Sequence, residues 1–308
     1  MAPTGVTAEV LCQARDFETV AGVTGQPTVW LSAPPRQSRR EPMLILLPPS
    51  EGKSDAGDGP PLDLGALSLA ELNPARERVI AALAEVVARP ESEARAVLGL
   101  SATQSAAVER DRVLATAPTV RAAELYTGVL YHALRLPELL AGSTAEAVRD
   151  SVLIFSGLWG AVRVTDRLPP YRLSMGVKLP PLGALGAFWR AEASQALTKR
   201  AEGRLVVDCR SAAYAAAFRP DAATAARTVT VRVLREARQA DGTLTRSVVS
   251  HMAKAARGEI AHALLAAGAA PATPRELAGT LTDLGRRVEL TAPARAGRPY
   301  VLDVVVGD

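Results

Sequence analysis

Met43-Leu44-Ile45-Leu46-Leu47-Pro48-Pro49-Ser50-Glu51-Gly52-Lys53-Ser54 is the stretch whose reading decides the fold. Its first half is continuously apolar, without alternation, and is closed by two prolines. A strand of that kind is buried on both faces, as in the parallel sheets that helices cover on both sides. Ser50, Glu51 and Lys53 then fall just past its C-terminal end, the edge at which α/β proteins bind ligands. Gly52-Lys53-Ser54 imitates the end of a P-loop. The first glycine of that motif would have to stand at position 47, where Leu47 sits, and Pro48 and Pro49 remove backbone donors that a phosphate cradle needs. A nucleoside-triphosphatase loop is therefore excluded.

Outward from this strand the pattern alternates between helix and strand. Val79, Ile80, Leu83, Val86 and Val87 recur at helical spacing within 74–88, and Arg89-Pro90 breaks that helix. A second helix near Ser92–Leu98, a tight turn at Gly99-Leu100-Ser101 and a third helix to about Leu114 follow. Strands are expected at 151–155, 205–208, 229–234 and 247–250. Helices are expected at 182–200, 251–267 and 274–284, and a closing strand pair near Val288 and at 301–306. This predicts an α/β (α+β) fold, a single compact mixed-sheet domain over 43–308 with helices around it. Residues 1–42, rich in scattered Pro, Gly, Thr and Arg, read as a loosely ordered N-terminal extension, dispensable for folding.

The 308 residues are 48% hydrophobic, enough for a substantial core. Cys12 and Cys209 are the only cysteines, which suits a reducing, cytoplasmic setting. No apolar run reaches the length of about 18 residues that spans a bilayer, and no leader pattern opens the chain. His132, His251 and His262 are far apart and Cys209 has no neighbouring Cys or His, so no metal and no cofactor are expected. Oligomeric state has no signal in the sequence.

Charge is distributed unevenly. Residues 151–258 hold 17 Lys and Arg against 7 Asp and Glu, while the rest hold 19 against 25. A surplus concentrated in one third of the chain favours a polyanionic partner; arginines forced by codon usage on a solvated surface are the bland alternative. Only four basic residues are lysines, Lys53, Lys178, Lys199 and Lys254, and an ammonium kept among so many arginines has a tunable pKa. Nine of the twelve aromatic residues lie between Tyr126 and Phe218. Phe155, Phe188 and Phe218 read as core. Trp159 and Tyr171, beside Gly, Pro and Arg, read as walls of a site. In extended chain Tyr171 and Leu173 share one face, Arg172 and Ser174 the other. Ser250 reads as the N-cap of a helix that carries Lys254 and Arg257.

Pro48–Lys53, Tyr126-Thr127-Gly128, Ser156-Gly157-Leu158-Trp159-Gly160, Tyr171-Arg172-x-x-Met175-Gly176, Phe188-Trp189 and Ala253-Lys254-x-x-Arg257-Gly258 occur in the order seen in the YaaA family. From Met43 to about Leu265 the chain resembles these bacterial peroxide-stress proteins. The resemblance implies a cytoplasmic protein that limits free intracellular iron and oxidative DNA damage. It also implies binding of double-stranded DNA through a basic cleft and a helix-hairpin-helix-like element, here Glu93–Asp111 with its hairpin at Gly99 and Ser101. Two departures stand out. Ser101 replaces the hairpin's second glycine and Thr103 a common lysine. Asp208-Cys209-Arg210-Ser211-Ala212-Ala213-Tyr214 stands where the family often shows Asn-Leu-Ala-Ser-x-Glu-Tyr, so Ala213 replaces a glutamate.

Two readings follow. In the first, Lys53, Arg163, Arg172, Lys178, Lys254 and Arg257 contact DNA phosphates. In the second, an enzyme acts on a nucleotide-like or small phosphorylated molecule. Ser50, Lys53 and Tyr126 are then the catalytic candidates, Ser50 and Lys53 as nucleophile and base if they meet. Gly128, Ser156, Gly157, Trp159, Gly160, Tyr171, Met175 and Gly176 would form the loops and wall. A closed pocket would favour the enzyme, an open basic groove the duplex.

Overall fold

The computed structural model describes residues 42–307 apart from 56, 239–243 and 249. The extension inferred over 1–42 lies outside these, except for its last residue. The described residues gather into one compact unit. Its elements run β1 (Leu44–Leu47), α1 (Asn73–Val87), α2 (Glu91–Leu98), α3 (Ser105–Arg112), β2 (Val120–Arg121), α4 (Ala122–Leu125), α5 (Val129–Leu134), α6 (Leu136–Ala141) and α7 (Ala145–Ser151). Then come β3 (Val152–Ser156), β4 (Gly160–Arg163), β5 (Arg167–Leu168), β6 (Lys178–Leu179), β7 (Gly183–Ala184), α8 (Leu185–Ala201), β8 (Val206–Asp208), α9 (Ala212–Ala215) and α10 (Ala222–Ala225). The chain closes with β9 (Thr228–Arg238), β10 (Leu244–Val248), α11 (Ser250–Ala266), α12 (Pro274–Asp283), β11 (Val288–Thr291) and β12 (Tyr300–Val306).

One mixed sheet of eight strands organises the unit, in the order β11-β12-β9-β8-β1-β3-β4, with β10 also on β9. The middle strands β12, β9, β8, β1 and β3 are parallel. The edges turn antiparallel, β4 on β3 and β11 on β12. Every residue of β1 and β3 is buried, as continuous apolar strands between two helical layers must be. The chain leaves β1 toward β3 and leaves β8 toward β9, in opposite directions. The carboxyl ends of β1 and β8 therefore flank a topological switch point, the usual ligand position in such sheets.

Ser156-Gly157-Leu158-Trp159-Gly160 is the turn of the β3–β4 hairpin, and it is packed inside. Its glycines answer to protein neighbours and not to a ligand. A Cβ on Gly157 would meet the Leu173 carbonyl at 2.5 Å, and one on Gly160, at φ +72, would meet the Trp189 ring at 2.6 Å. Gly258 lets α11 cross α5 closely, because a Cβ there would lie 2.2 Å from the Leu130 carbonyl. In 171–178 the alternation holds: Tyr171, Leu173, Met175 and Val177 are buried, while Ser174, Gly176 and Lys178 are exposed. The strand expected at 247–250 lies earlier, at Leu244–Val248, and the helix begins at Ser250. The Ser250 capping side chain is outside the described ones.

Candidate functional site

The loop after β1 turns back along the segment before α5. Lys53 bridges Tyr126, Ser54 N–H donates to Leu125 O (2.9 Å), and Thr127 N–H donates to Gly52 O (3.3 Å). Gly128, at φ +98, starts α5 in a conformation open to glycine. Tyr131 Oη on α5 donates to Pro48 O at 2.7 Å. Two motifs far apart in sequence thus form one wall at the carboxyl end of β1.

Lys53 is half-buried on this wall. Its Nζ donates to the Ser50 carbonyl at 3.0 Å and lies 4.3 Å from the centre of the Tyr171 ring and 5.6 Å from that of Tyr126. Desolvation, and after it the Arg172 guanidinium, lowers its pKa from 10.5 to about 7. Behind it runs a buried hydroxyl chain. Ser156 Oγ accepts from the amides of Leu158 (3.1 Å) and Trp159 (3.0 Å). With both lone pairs engaged its proton goes to Tyr171 Oη (2.6 Å), which in turn donates to Tyr126 Oη (2.9 Å). Burial pushes both phenols well above their ordinary range.

The residue that sequence reasoning missed is Asp111, at the end of α3. Its Oδ1 accepts the Arg172 amide at 2.8 Å; its Oδ2 is buried and has no hydrogen-bond partner. Burial raises this carboxyl from 3.8 to about 7, against the pull of the Arg172 amide and of the charge on Lys53. In sequence it sits in Glu109-Arg110-Asp111-Arg112, which reads as a solvated helix face. Only the packing of α3 turns it inward. The rim is polar. Arg172 reaches the carbonyl (3.1 Å) and the carboxylate (3.2 Å) of the exposed Glu51, and Arg110 pairs with Asp55 at 2.9 Å. Tyr214, on α9 beyond β8, is near enough to feel the charges of Arg172 and Glu51.

At the end of β8, Asp208 and Arg210 form a buried bidentate pair (2.8 and 2.7 Å), with the guanidinium over the Phe155 ring. This pair fixes the turn that presents α9. Cys209 between them is fully buried, its amide on Leu46 O (2.9 Å) and its thiol pushed up to about 12.

The expected site residues separate into those that meet here and those that do not. Lys53, Tyr126, Gly128, Ser156, Tyr171 and Arg172 converge. Ser50 is adjacent, but its hydroxyl donates to the Gly52 carbonyl and Lys53 takes its backbone oxygen, so the nucleophile–base pair is not formed. Trp159 is fully buried and packs edge-on against Tyr171 at 5.7 Å, so it supports the site from behind and offers no open wall. Met175 is buried below Gly186, and Gly176 lies on the exposed side. Arg163 sits at the opposite end of the sheet, opposite Leu153 in register and bound to the Arg149 carbonyl and Asp150. Lys178 and Lys254 are exposed on β6 and α11. Arg257 is half-buried and reaches toward Val231 O at 3.4 Å. In the α2–α3 hairpin Gly99 takes φ +66 as the cap of α2, and Ser101 forms a capping box with Gln104. The second helix of that hairpin is what delivers Asp111.

Part of the basic surplus of 151–258 is engaged in tertiary pairs. Arg163 meets Asp150, Arg167 Asp58, Arg172 Glu51, Arg232 Asp303 and Arg246 Glu289. These carboxylates come from the remaining, acidic part of the chain. Among the described residues no group of His, Cys, Asp and Glu is placed to hold a metal ion, and no helix is long and apolar enough to cross a membrane.

A mixed α/β sheet with a Lys–Asp–Tyr cluster at its switch point is the frame on which the comparisons fall. Residues 43–284 match the family model of the peroxide stress protein YaaA, and the chain belongs to that family. A UPF0246 protein of Streptomyces coelicolor is 54% identical over 264 residues, covering 86% of this chain and 98% of that protein. One from Corynebacterium efficiens is 39% identical over 272 residues, 86% of this chain and all of the relative. Membership makes this a peroxide-stress-related protein.

Proposed function

We propose that this peroxide-stress protein is an enzyme that acts by acid–base chemistry on a small anionic molecule, nucleotide-like or phosphorylated, held over Lys53 and Asp111. The observation that carries this reading is Asp111 Oδ2, a buried carboxylate oxygen without a partner beside a lysine whose ammonium is itself desolvated. A buried polar atom left unpaired is unfavourable by about 1–3 kcal/mol, and such groups gather where a substrate supplies the missing partner. The two groups titrate near neutrality from opposite sides, which suits proton exchange at physiological pH. Arg172 and Arg110 supply the positive rim for the anion. The lowering of free iron is proposed as an indirect result of this chemistry, since the gathered groups are an amine, a carboxyl and phenols and not thiolates or imidazoles. The test is calorimetric titration of the full chain with nucleotides and sugar phosphates. Binding that the Lys53→Met and Asp111→Asn variants both lose supports the reading; binding indifferent to both refutes it.

The second reading, duplex DNA, is favoured by the exposure of Lys178 and Lys254 on one basic segment. It requires affinity that falls steeply with salt, with a log–log slope of about −0.9 for each phosphate neutralised. Replacing Lys254 by Ala would then flatten that slope by about one unit. A flat salt dependence removes DNA as the partner.

A further inference from the structure

We propose that Lys53 forms a covalent imine through Nζ with the aldehyde or ketone carbon of a small anionic carbonyl compound, with Asp111 as the proton donor that releases water. This rests on the small-molecule reading above and names its substrate class. The surroundings of Nζ are those of a nucleophile and not of a structural cation. Its hydrogen bond goes to a neutral carbonyl, that of Ser50, and among the described residues it forms no salt bridge. Asp111, near enough to hold part of the charge on Lys53, keeps Oδ2 buried and unpartnered. An arginine at this position would be permanently charged and unable to attack. The two tyrosine faces at 4.3 and 5.6 Å suit a cationic iminium, whose positive charge the ring faces attract.

The steps balance. The neutral amine attacks the carbonyl carbon, forming the C–N bond, and one proton moves from nitrogen to the former carbonyl oxygen to give the carbinolamine. The protonated Asp111 carboxyl gives its proton to the hydroxyl, the C–O bond breaks, and water leaves. What remains is the iminium cation on Lys53 and a carboxylate on Asp111, an ion pair in place of two neutral groups. Burial brings both groups to titrate near 7, so part of the population holds the neutral amine and the protonated carboxyl together near pH 7. Arg172, whose partner Glu51 is exposed, is the rim group that exchanges its ion pair for the anionic end of the substrate.

The test uses pyridoxal 5′-phosphate, an aldehyde with a phosphate, on the full chain near neutral pH, followed by borohydride reduction and peptide mapping. The expected result is one reduced adduct on Lys53, formed at least about tenfold faster than on the exposed Lys178, Lys199 or Lys254. Asp111→Asn should weaken binding of the unreactive alcohol, pyridoxine 5′-phosphate, and at saturating aldehyde slow adduct formation by a further factor of about ten or more. Adducts spread over the exposed lysines, or none on Lys53, overturn the proposal. The alcohol separates two failures. If it binds and Lys53 stays unmodified, the imine step falls and the small-molecule site stands; if neither compound binds, both fall.

Discussion

Replacing Asp111 by asparagine removes one ionisable group from the buried cluster, and the consequence is a change in how stability depends on pH. A carboxyl raised from 3.8 unfolded to about 7 folded binds more protons in the folded state between those values. It therefore makes the native protein progressively less stable as pH rises from about 4 to about 7. One pKa unit is worth about 1.4 kcal/mol, so the full contribution is bounded near 4 kcal/mol; relaxation of the fold around the charge brings it to about 1–3 kcal/mol. The variant lacks this loss. The amide it introduces has donors facing the position where Oδ2 has no partner, a pH-independent penalty of about 1–3 kcal/mol. Lys53 adds to the trend in the same direction. Without the attraction of Asp111 its pKa falls below 7, which weakens the variant further at acid pH and leaves it unaffected above neutrality. Urea unfolding of both proteins from about pH 4.5 to 8 gives the difference curve. The variant should be the less stable protein in acid and gain on the parent by about 1–3 kcal/mol toward pH 8. A difference that does not vary with pH would refute the claim that Asp111 is buried in this way.

Two other outcomes follow from the packing. Gly160→Ala should destabilise the protein by about 2–4 kcal/mol in urea unfolding, because φ +72 and a ring carbon at 2.6 Å oppose the added methyl together; a loss under about 0.5 kcal/mol would contradict the hairpin as described. Cys209, buried and with its thiol pushed up to about 12, should stay unmodified by iodoacetamide and by hydrogen peroxide in the native protein and react fully in denaturant. Peptide mapping reads it separately from Cys12, and rapid native modification would overturn its placement.

What the sequence made legible is what local pattern controls. β1 is visible in Leu44–Leu47 because a parallel strand buried on both faces needs no partner information to be recognised. The alternation of 171–178 survives for the same reason. β4 escapes notice because Gly160–Arg163 is short and its hairpin turn carries Gly157 and Gly160, which by type suit an exposed loop, around Leu158 and Trp159. Their burial is set by Trp189 and Leu173, remote in sequence. Asp111 escapes because nothing in Glu109–Arg112 distinguishes an inward carboxylate from its solvated neighbours. The charge surplus of 151–258 is likewise only partly readable from the sequence. A count along the chain ignores partners such as Asp58 and Asp303, which lie outside the window and offset part of it in space.

The central claim is that Lys53 is an amine poised near neutrality at the carboxyl end of β1. With only four lysines in the chain, carbon-13 labelling at Cε yields a spectrum simple enough to follow against pH. The account predicts one resonance, absent from the Lys53→Arg variant, that titrates with a midpoint near 7. A midpoint for that resonance at the ordinary 10.5 would contradict it.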